Sequence, residues 1–213
     1  MLVLSLDTTT RFGSVGLVSE QKLLAEINYL SPSTHSRQVL EAIAAALRIA
    51  GIEFDQLQGL AVAAGPGSFT GIRIGLSLVK ALSLASGLPV ASVSSLQALA
   101  SKLLWPGVKM ISPVIDARKS EVFGCLYQVE NSKLKEIVPA GAYEPGQFLT
   151  RLPAGEQIYF IGTGADLYFP LFREKLGERA IITDRSYYLA SEIGQLGEAL
   201  LSQGKGLKPE QIE

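Results

Sequence analysis

The chain of 213 residues holds one cysteine, Cys125, and one histidine, His35. A single thiol cannot close an internal disulfide, and a buried one in an apolar run points to a reducing compartment, the cytoplasm. One His and one Cys far apart in sequence exclude a His/Cys zinc cluster. A Ser-His-Asp hydrolase would have only His35, and no Gly-x-Ser-x-Gly elbow lies near it. Basic surplus is missing too. Nineteen Lys and Arg against twenty Asp and Glu leave a net charge of -1, which argues against tight, autonomous nucleic-acid binding. Long apolar runs are absent: the longest uncharged stretch, 81–101, is interrupted by Gly87-Leu88-Pro89 and carries six serines. A membrane span requires about 20 predominantly apolar residues, so no membrane partner is expected. The opening MLVLSLDTTT reaches Asp7 without a basic leader, unlike a signal peptide. Charge of either sign is scarce at 18% of residues, where about 25% is usual. So few charges predict an exposed apolar patch, and such patches mark partner surfaces. An oligomer is the expectation.

What is present is a strict order of elements. Segments 2–7, 13–18 and 22–30 are β-rich runs separated by turns. A helix is predicted over 34–50, where Val39, Leu40, Ile43, Leu47 and Ala50 keep helical spacing between a Ser33 or Thr34 cap and Gly51. An apolar strand at 59–64, a helix at 70–86, a strand at 89–93 and a short helix at 96–104 follow. The second half repeats the pattern with strands at 111–116, 121–129 and 134–139, a short helix at 144–152, a strand at 158–161, a helix at 166–176, a strand at 180–183 and a helix at 189–202. The order βββ-α-β-α-β-α, twice over, predicts an α/β protein with the duplicated ribonuclease-H-like fold of the actin-like (ASKHA) class, two mixed sheets flanked by helices. Trp105-Pro106-Gly107 is the expected division, giving lobes 1–106 and 107–213, with the last helix free to pack back on the first lobe.

Three places could carry chemistry or contacts. Asp7-Thr8-Thr9-Thr10 closes the first strand; its hydroxyls and amides would face phosphate and Asp7 a metal in a nucleotide site. A Thr-rich hairpin with Asp as turn former accounts for the same residues. Gly65-Pro66-Gly67-Ser68-Phe69-Thr70-Gly71 leads a buried strand into a helix, where free amides attract anions. It is no Walker A loop, and glycine also serves simply to turn a strand tightly into a helix. The helix after it, with Ile72, Ile74, Leu76, Leu78, Val79, Leu82 and Leu84 spread around the cylinder, has no fully polar face. Gly71 and Gly75 within it allow close packing, so one side is expected on its own sheet and the other on a partner.

Together, LSLDTTTRFGSVGLV, AAGPGSFTGIRIGLSLVKALSLASGLPVASVSSLQAL and PVIDARKSEVFG resemble the signature blocks of the TsaB (YeaZ-type) family, in the same order. THSRQVLEAI fits that family's first helix, and the likeness is close over residues 1–125 and looser beyond, through Ile161-Gly162-Thr163-Gly164-Ala165. The resemblance implies an accessory subunit of the complex that forms N6-threonylcarbamoyladenosine at position 37 of ANN-decoding tRNAs. Its partners would be the catalytic paralogue TsaD and the small ATPase TsaE, with a homodimer in isolation and tRNA met only as part of the complex. TsaD-like chains carry a metal-binding His-x-x-x-His pair where this sequence has Ser95 and Leu99, so the resemblance implies no metal and no catalysis of its own. It implies contact with TsaD or a second copy through the first two helices, for which His35, Val39, Ile43, Leu47, Gly71, Arg73, Gly75, Leu78 and Leu82 are the candidates. Asp7, Thr8, Thr9, Asp116 and Arg118 become vestigial nucleotide-facing residues, with no cofactor of the chain's own and ATP or ADP at the TsaD interface left open. The rival reading is an independent actin-like ATP-dependent kinase or ATPase, for which no second glycine-rich phosphate loop is found: Asp116-Ala117-Arg118-Lys119 has no glycine.

Overall fold

Strands β1 (Leu2–Asp7), β2 (Phe12–Ser19) and β3 (Lys22–Leu30) form an antiparallel meander, and β1 then pairs in parallel with β4 (Gly59–Ala63), which pairs with β5 (Val90–Val93). The structure is a computed structural model describing residues 1–31 and 35–212. The first sheet has the order β3-β2-β1-β4-β5. Alternation along β1 sets its two faces. Leu4 and Leu6 point to one side with Val15 and Leu17 of β2, where they meet Val39, Ala42, Ile43 and Ala46 of α1 (Ser36–Ala50) and Val79 of α2 (Phe69–Ser86). The cap expected at Ser33 or Thr34 lies outside the described residues, and His35 takes the cap position of α1 without a side-chain capping bond.

The other face carries small residues and is covered by α6 (Ala190–Ser202). Gly194 and Gly197 lie so close to the sheet that a Cβ on either would stand 2.4 Å from Val18 Cγ2 or Ala61 Cβ. Polar bonds hold this helix in register. Ser14 Oγ of β2 accepts from the Leu189 and Ala190 amides, a remote substitute for the cap that Leu189 cannot supply. Ser5 Oγ donates to the Ala190 carbonyl at 2.6 Å. Further along, the buried Glu198 carboxylate accepts from the Glu20 and Gln21 amides at 2.8 and 2.7 Å and from the Met1 ammonium at 2.7 Å. Glu20 and Gln21 both have positive φ, the mark of a type I′ hairpin between β2 and β3.

The second sheet, β10-β9-β6-β7-β8, repeats the first. It is built from β6 (Met110–Arg118), β7 (Glu121–Glu130), β8 (Lys133–Tyr143), β9 (Ile158–Ile161) and β10 (Ala180–Ile182), with α4 (Pro145–Thr150) and α5 (Thr163–Leu176). Phe148, Phe160 and Phe172 fill its core, the last two rings 4.8 Å apart. The compact units differ from the expected halves: one comprises Met1–Ser95 and Tyr188–Glu213, the other Leu96–Tyr187. Trp105-Pro106-Gly107 is therefore not a boundary but lies inside the second unit. The reason is that the third helix of each half leaves its own half, α3 (Ser95–Ser101) joining the second unit from Leu96 onward and α6 the first. Short 3-10 turns at Phe54–Gln56, Gly177–Arg179 and Pro209–Gln211 were not anticipated, being too short for a periodic signal.

Removing the Glu198 carboxylate strands two amides under α6. Glu198→Ala is expected to lower stability by about 2–4 kcal/mol, read by urea unfolding at neutral pH. Burial pushes the Glu198 pKa up, but the ammonium and amide hydrogen bonds outweigh it and hold the group below its ordinary value of 4.5. Its contribution is thus full above about pH 4.5 and lost as pH falls through the folded value. The wild-type stability should drop more steeply with acid than that of Glu198→Ala; parallel curves would contradict the assignment.

Candidate functional site

The loop entering α2 is clamped against the turn that leaves β1. The Ser68 amide donates to the Thr9 carbonyl at 2.6 Å, and Thr8 Oγ1 donates to the Gly71 carbonyl at 2.7 Å. A Cβ at Gly71 would stand 1.9 Å from the Thr8 carbonyl oxygen, and one at Gly67 2.5 Å from that of Thr9. Gly75 presses on Thr8 Oγ1 in the same way, at 2.6 Å. Gly67 and Gly71 serve the close approach of backbone to backbone, and Gly75 that of backbone to side chain. The hydroxyls are engaged as well. Thr9 donates to Asp7 Oδ1 through both its amide and its hydroxyl, at 2.8 and 2.7 Å, and Thr10 Oγ1 accepts from the Phe12 amide. Asp7, Thr8 and Thr9 are buried. The structure brings the two sequence motifs together as one packed joint, rather than as an open phosphate cradle.

The second unit repeats the joint in plainer form. Asp116 ends the regular part of β6, its amide donating to Thr163 Oγ1 at the start of α5 and its carboxylate accepting from the Arg118 amide at 2.9 Å. Gly162 and Gly164 press against the Val114 carbonyl and the Ile115–Asp116 peptide. Arg118 extends into solvent on a turn in which Arg118, Lys119 and Ser120 all have positive φ.

At the two positions where a metal-binding pair was compared, Ser95 is buried with its hydroxyl 3.4 Å from Thr9 Oγ1, and Leu99 is buried in apolar packing. No three His, Cys, Asp or Glu side chains gather among the described residues. Cys125 is buried, and burial pushes its thiol up to about 12, leaving little nucleophilic thiolate. His35 packs edge-on against Tyr29, with burial lowering its pKa.

The exposed feature of the first unit is an open apolar groove of about 460 Å³ between α1 and α2, lined by Ser36, Val39, Leu40, Phe69, Thr70, Arg73, Ile74, Ser77 and Leu78. Phe69 is 72% exposed and Leu40 53%. Six of the nine contact residues expected from sequence do not line it. His35, Ile43, Gly71 and Gly75 are buried inside the chain, while Leu47 and Leu82 pack half-buried on the core. Arg73, Leu78 and the largely buried Val39 do line the groove. The inward stripe of an amphipathic helix is the part that periodicity detects, so that reading selects core contacts. Leu40 and Ile74, which the sequence places on apolar helix positions, and Phe69, which it places in the loop before the helix, were not among the expected contacts; the signal each offered was a large apolar side chain. Among the described residues α2 is also the one helix long and apolar enough to cross a membrane. Its small face of Gly71, Gly75, Val79 and Ser83 is packed inside the unit.

Residues 29–209 match the family model described as TsaD, tRNA N6-adenosine threonylcarbamoyltransferase. The chain is 31% identical over its whole length to the tRNA threonylcarbamoyladenosine biosynthesis protein TsaB of Bacillus subtilis, covering 94% of that protein. The chain belongs to the TsaB family. The solved structure of YeaZ from Pseudomonas aeruginosa superposes with a TM-score of 0.85 at 28% identity, over 99% of this chain and 97% of that one. A hexokinase of the ROK type from Thermus thermophilus, 12% identical with a TM-score of 0.54 over 95% of this chain and 100% of that one, shares the fold alone. The fold is thus the duplicated actin-like one, and the TsaB-family joint and groove sit on its first sheet.

The joint tolerates no side chain. Gly71→Ala should cost about 3 kcal/mol or more, because the clash is with backbone and cannot be relieved by a rotamer change. Phe69→Ser, two residues earlier but pointing outward, should change the midpoint of thermal unfolding little. Equal losses in the two variants would refute this division between joint and groove.

Proposed function

We propose that this chain is the non-catalytic accessory subunit of the complex that forms N6-threonylcarbamoyladenosine at position 37 of ANN-decoding tRNAs. It acts by binding a catalytic TsaD chain and holding it in a competent arrangement. The observation that carries this reading is the apolar groove between α1 and α2, whose exposed Leu40 and Phe69 call for a covering partner. The Bacillus subtilis relative is named for this biosynthesis, and the match to the TsaD model supports a partner of related fold. In the same reading TsaE joins the assembly, a second copy covers the groove when TsaD is absent, and tRNA is met only through the complex. A net charge of -1 agrees with that division of labour.

The kinase reading has the packed joint against it. Thr8, Thr9 and Thr10 direct their hydroxyls at protein atoms, and Gly67 and Gly71 are filled by carbonyl oxygens. These residues do not fit a phosphate as they stand, so ATP or ADP at the TsaD interface would be held mainly by the partner. Purified alone, the chain is expected to show no ATP turnover and to retain no stoichiometric zinc or iron. A phosphate-release assay and metal analysis check this; turnover abolished by Asp7→Ala would overturn it.

Reconstitution tests the function itself. With TsaD, TsaE and the adenylate-forming enzyme, this chain should permit repeated modification of an ANN-decoding tRNA, and omitting it should abolish multiple turnover. Leu40→Glu combined with Phe69→Glu should abolish that support while leaving the melting temperature within a few degrees. Full modification without the chain would refute the assignment.

A further inference from the structure

Resting on the subunit reading above, we propose that Arg73 makes the α1–α2 groove favour a partner bearing a carboxylate over a second copy of this chain. Arg73 is the one charged residue among the described residues that line the groove, and its guanidinium lies 5.1 Å from the centre of the exposed Phe69 ring. That stacking holds the planar donor fork over apolar surface, at the place where a covering helix would exclude water.

Such a charge needs a carboxylate once covered, because a desolvated guanidinium without one is strongly unfavourable. The two helices that frame the groove offer almost none. The α2 sequence from Phe69 to Ser86 contains no acid, and its other cation, Lys80, already donates to the Ile212 carbonyl. The one acid of α1, Glu41, is ion-paired with Arg37 at 2.8 Å, one turn away on the same helix.

Self-association through this groove presents the same surface to itself. From the two framing helices it therefore brings a second arginine and only one carboxylate, Glu41, which Arg37 already shares. A partner of related fold that places an Asp or Glu opposite Arg73 gains a charge-assisted, bidentate bond and leaves no buried charge unpaired. One side chain thus weakens the wrong pairing and strengthens the right one.

The test compares wild type with Arg73→Met, which keeps an unbranched apolar stem, and Arg73→Lys, which keeps the charge. Sedimentation over a concentration series reads self-association, and calorimetric titration with TsaD reads the heterologous pair. Arg73→Met should self-associate at least tenfold more tightly and bind TsaD at least tenfold more weakly, with an unchanged melting temperature. Arg73→Lys should stay near wild type in self-association and lose less TsaD affinity than Arg73→Met. Two shifts of the same sign, or none, would overturn the inference. Wild type failing to bind TsaD at all would instead sink the subunit reading, and this inference with it.

Discussion

The first unit depends on two carbonyl oxygens, those of Thr8 and Thr9, having nothing but hydrogen in front of them. Gly71 and Gly67 provide that space, and the bonds from Ser68 and Thr8 close it. Because the first turn of α2 is fixed against the end of β1, the direction of the whole helix is set there. The small residues that follow, Gly75 and Ser83 with Val79 between them, keep it low on the sheet. The large side chains are consequently displaced outward and sideways. The apolar groove beside α1 is thus a geometric result of the joint, and a loop that looks made for phosphate instead aims an exposed apolar face.

The second unit shows the same construction with less to aim. Gly162 and Gly164 approach the end of β6 as Gly67 and Gly71 approach that of β1, and an aspartate ends the strand in both. The loop is shorter, and α5 carries Asp166, Arg173, Glu174 and Lys175, where α2 carries two cations alone. What differs is the use made of the following helix: solvated in one case, apolar and partly uncovered in the other.

Most of the architecture was readable because each element carried its own period. Leu2–Asp7 and Lys22–Leu30 matched the expected limits, and α2 differed by one residue. Two things were not readable. The first is membership: α3 and α6 have ordinary amphipathic patterns, and nothing local says which sheet will receive them. The second is the outward surface. Val39, Leu40 and Ile43 share one helical spacing, yet Val39 and Ile43 face the core while Leu40 is exposed, and the exposed Phe69 opens α2 ahead of its periodic run. The orientation of α2 about its own axis is visible only once Gly75 is seen packed against Thr8.

The position of α6 bears on how the chain is made. Its partners on the first sheet, among them Ser5, Ser14, Gly16 and Ala61, leave the ribosome long before residues 190–202 do. During that interval one face of a finished five-stranded sheet is bare, and synthesis at about 5–20 residues per second makes the wait a matter of many seconds. The bare face is formed of small and hydroxyl-bearing side chains rather than large apolar ones, which limits how strongly a nascent chain would adhere to its neighbours. Closing the first unit is therefore a late, long-range event, and loss of the final helix would strand an otherwise complete sheet half-covered.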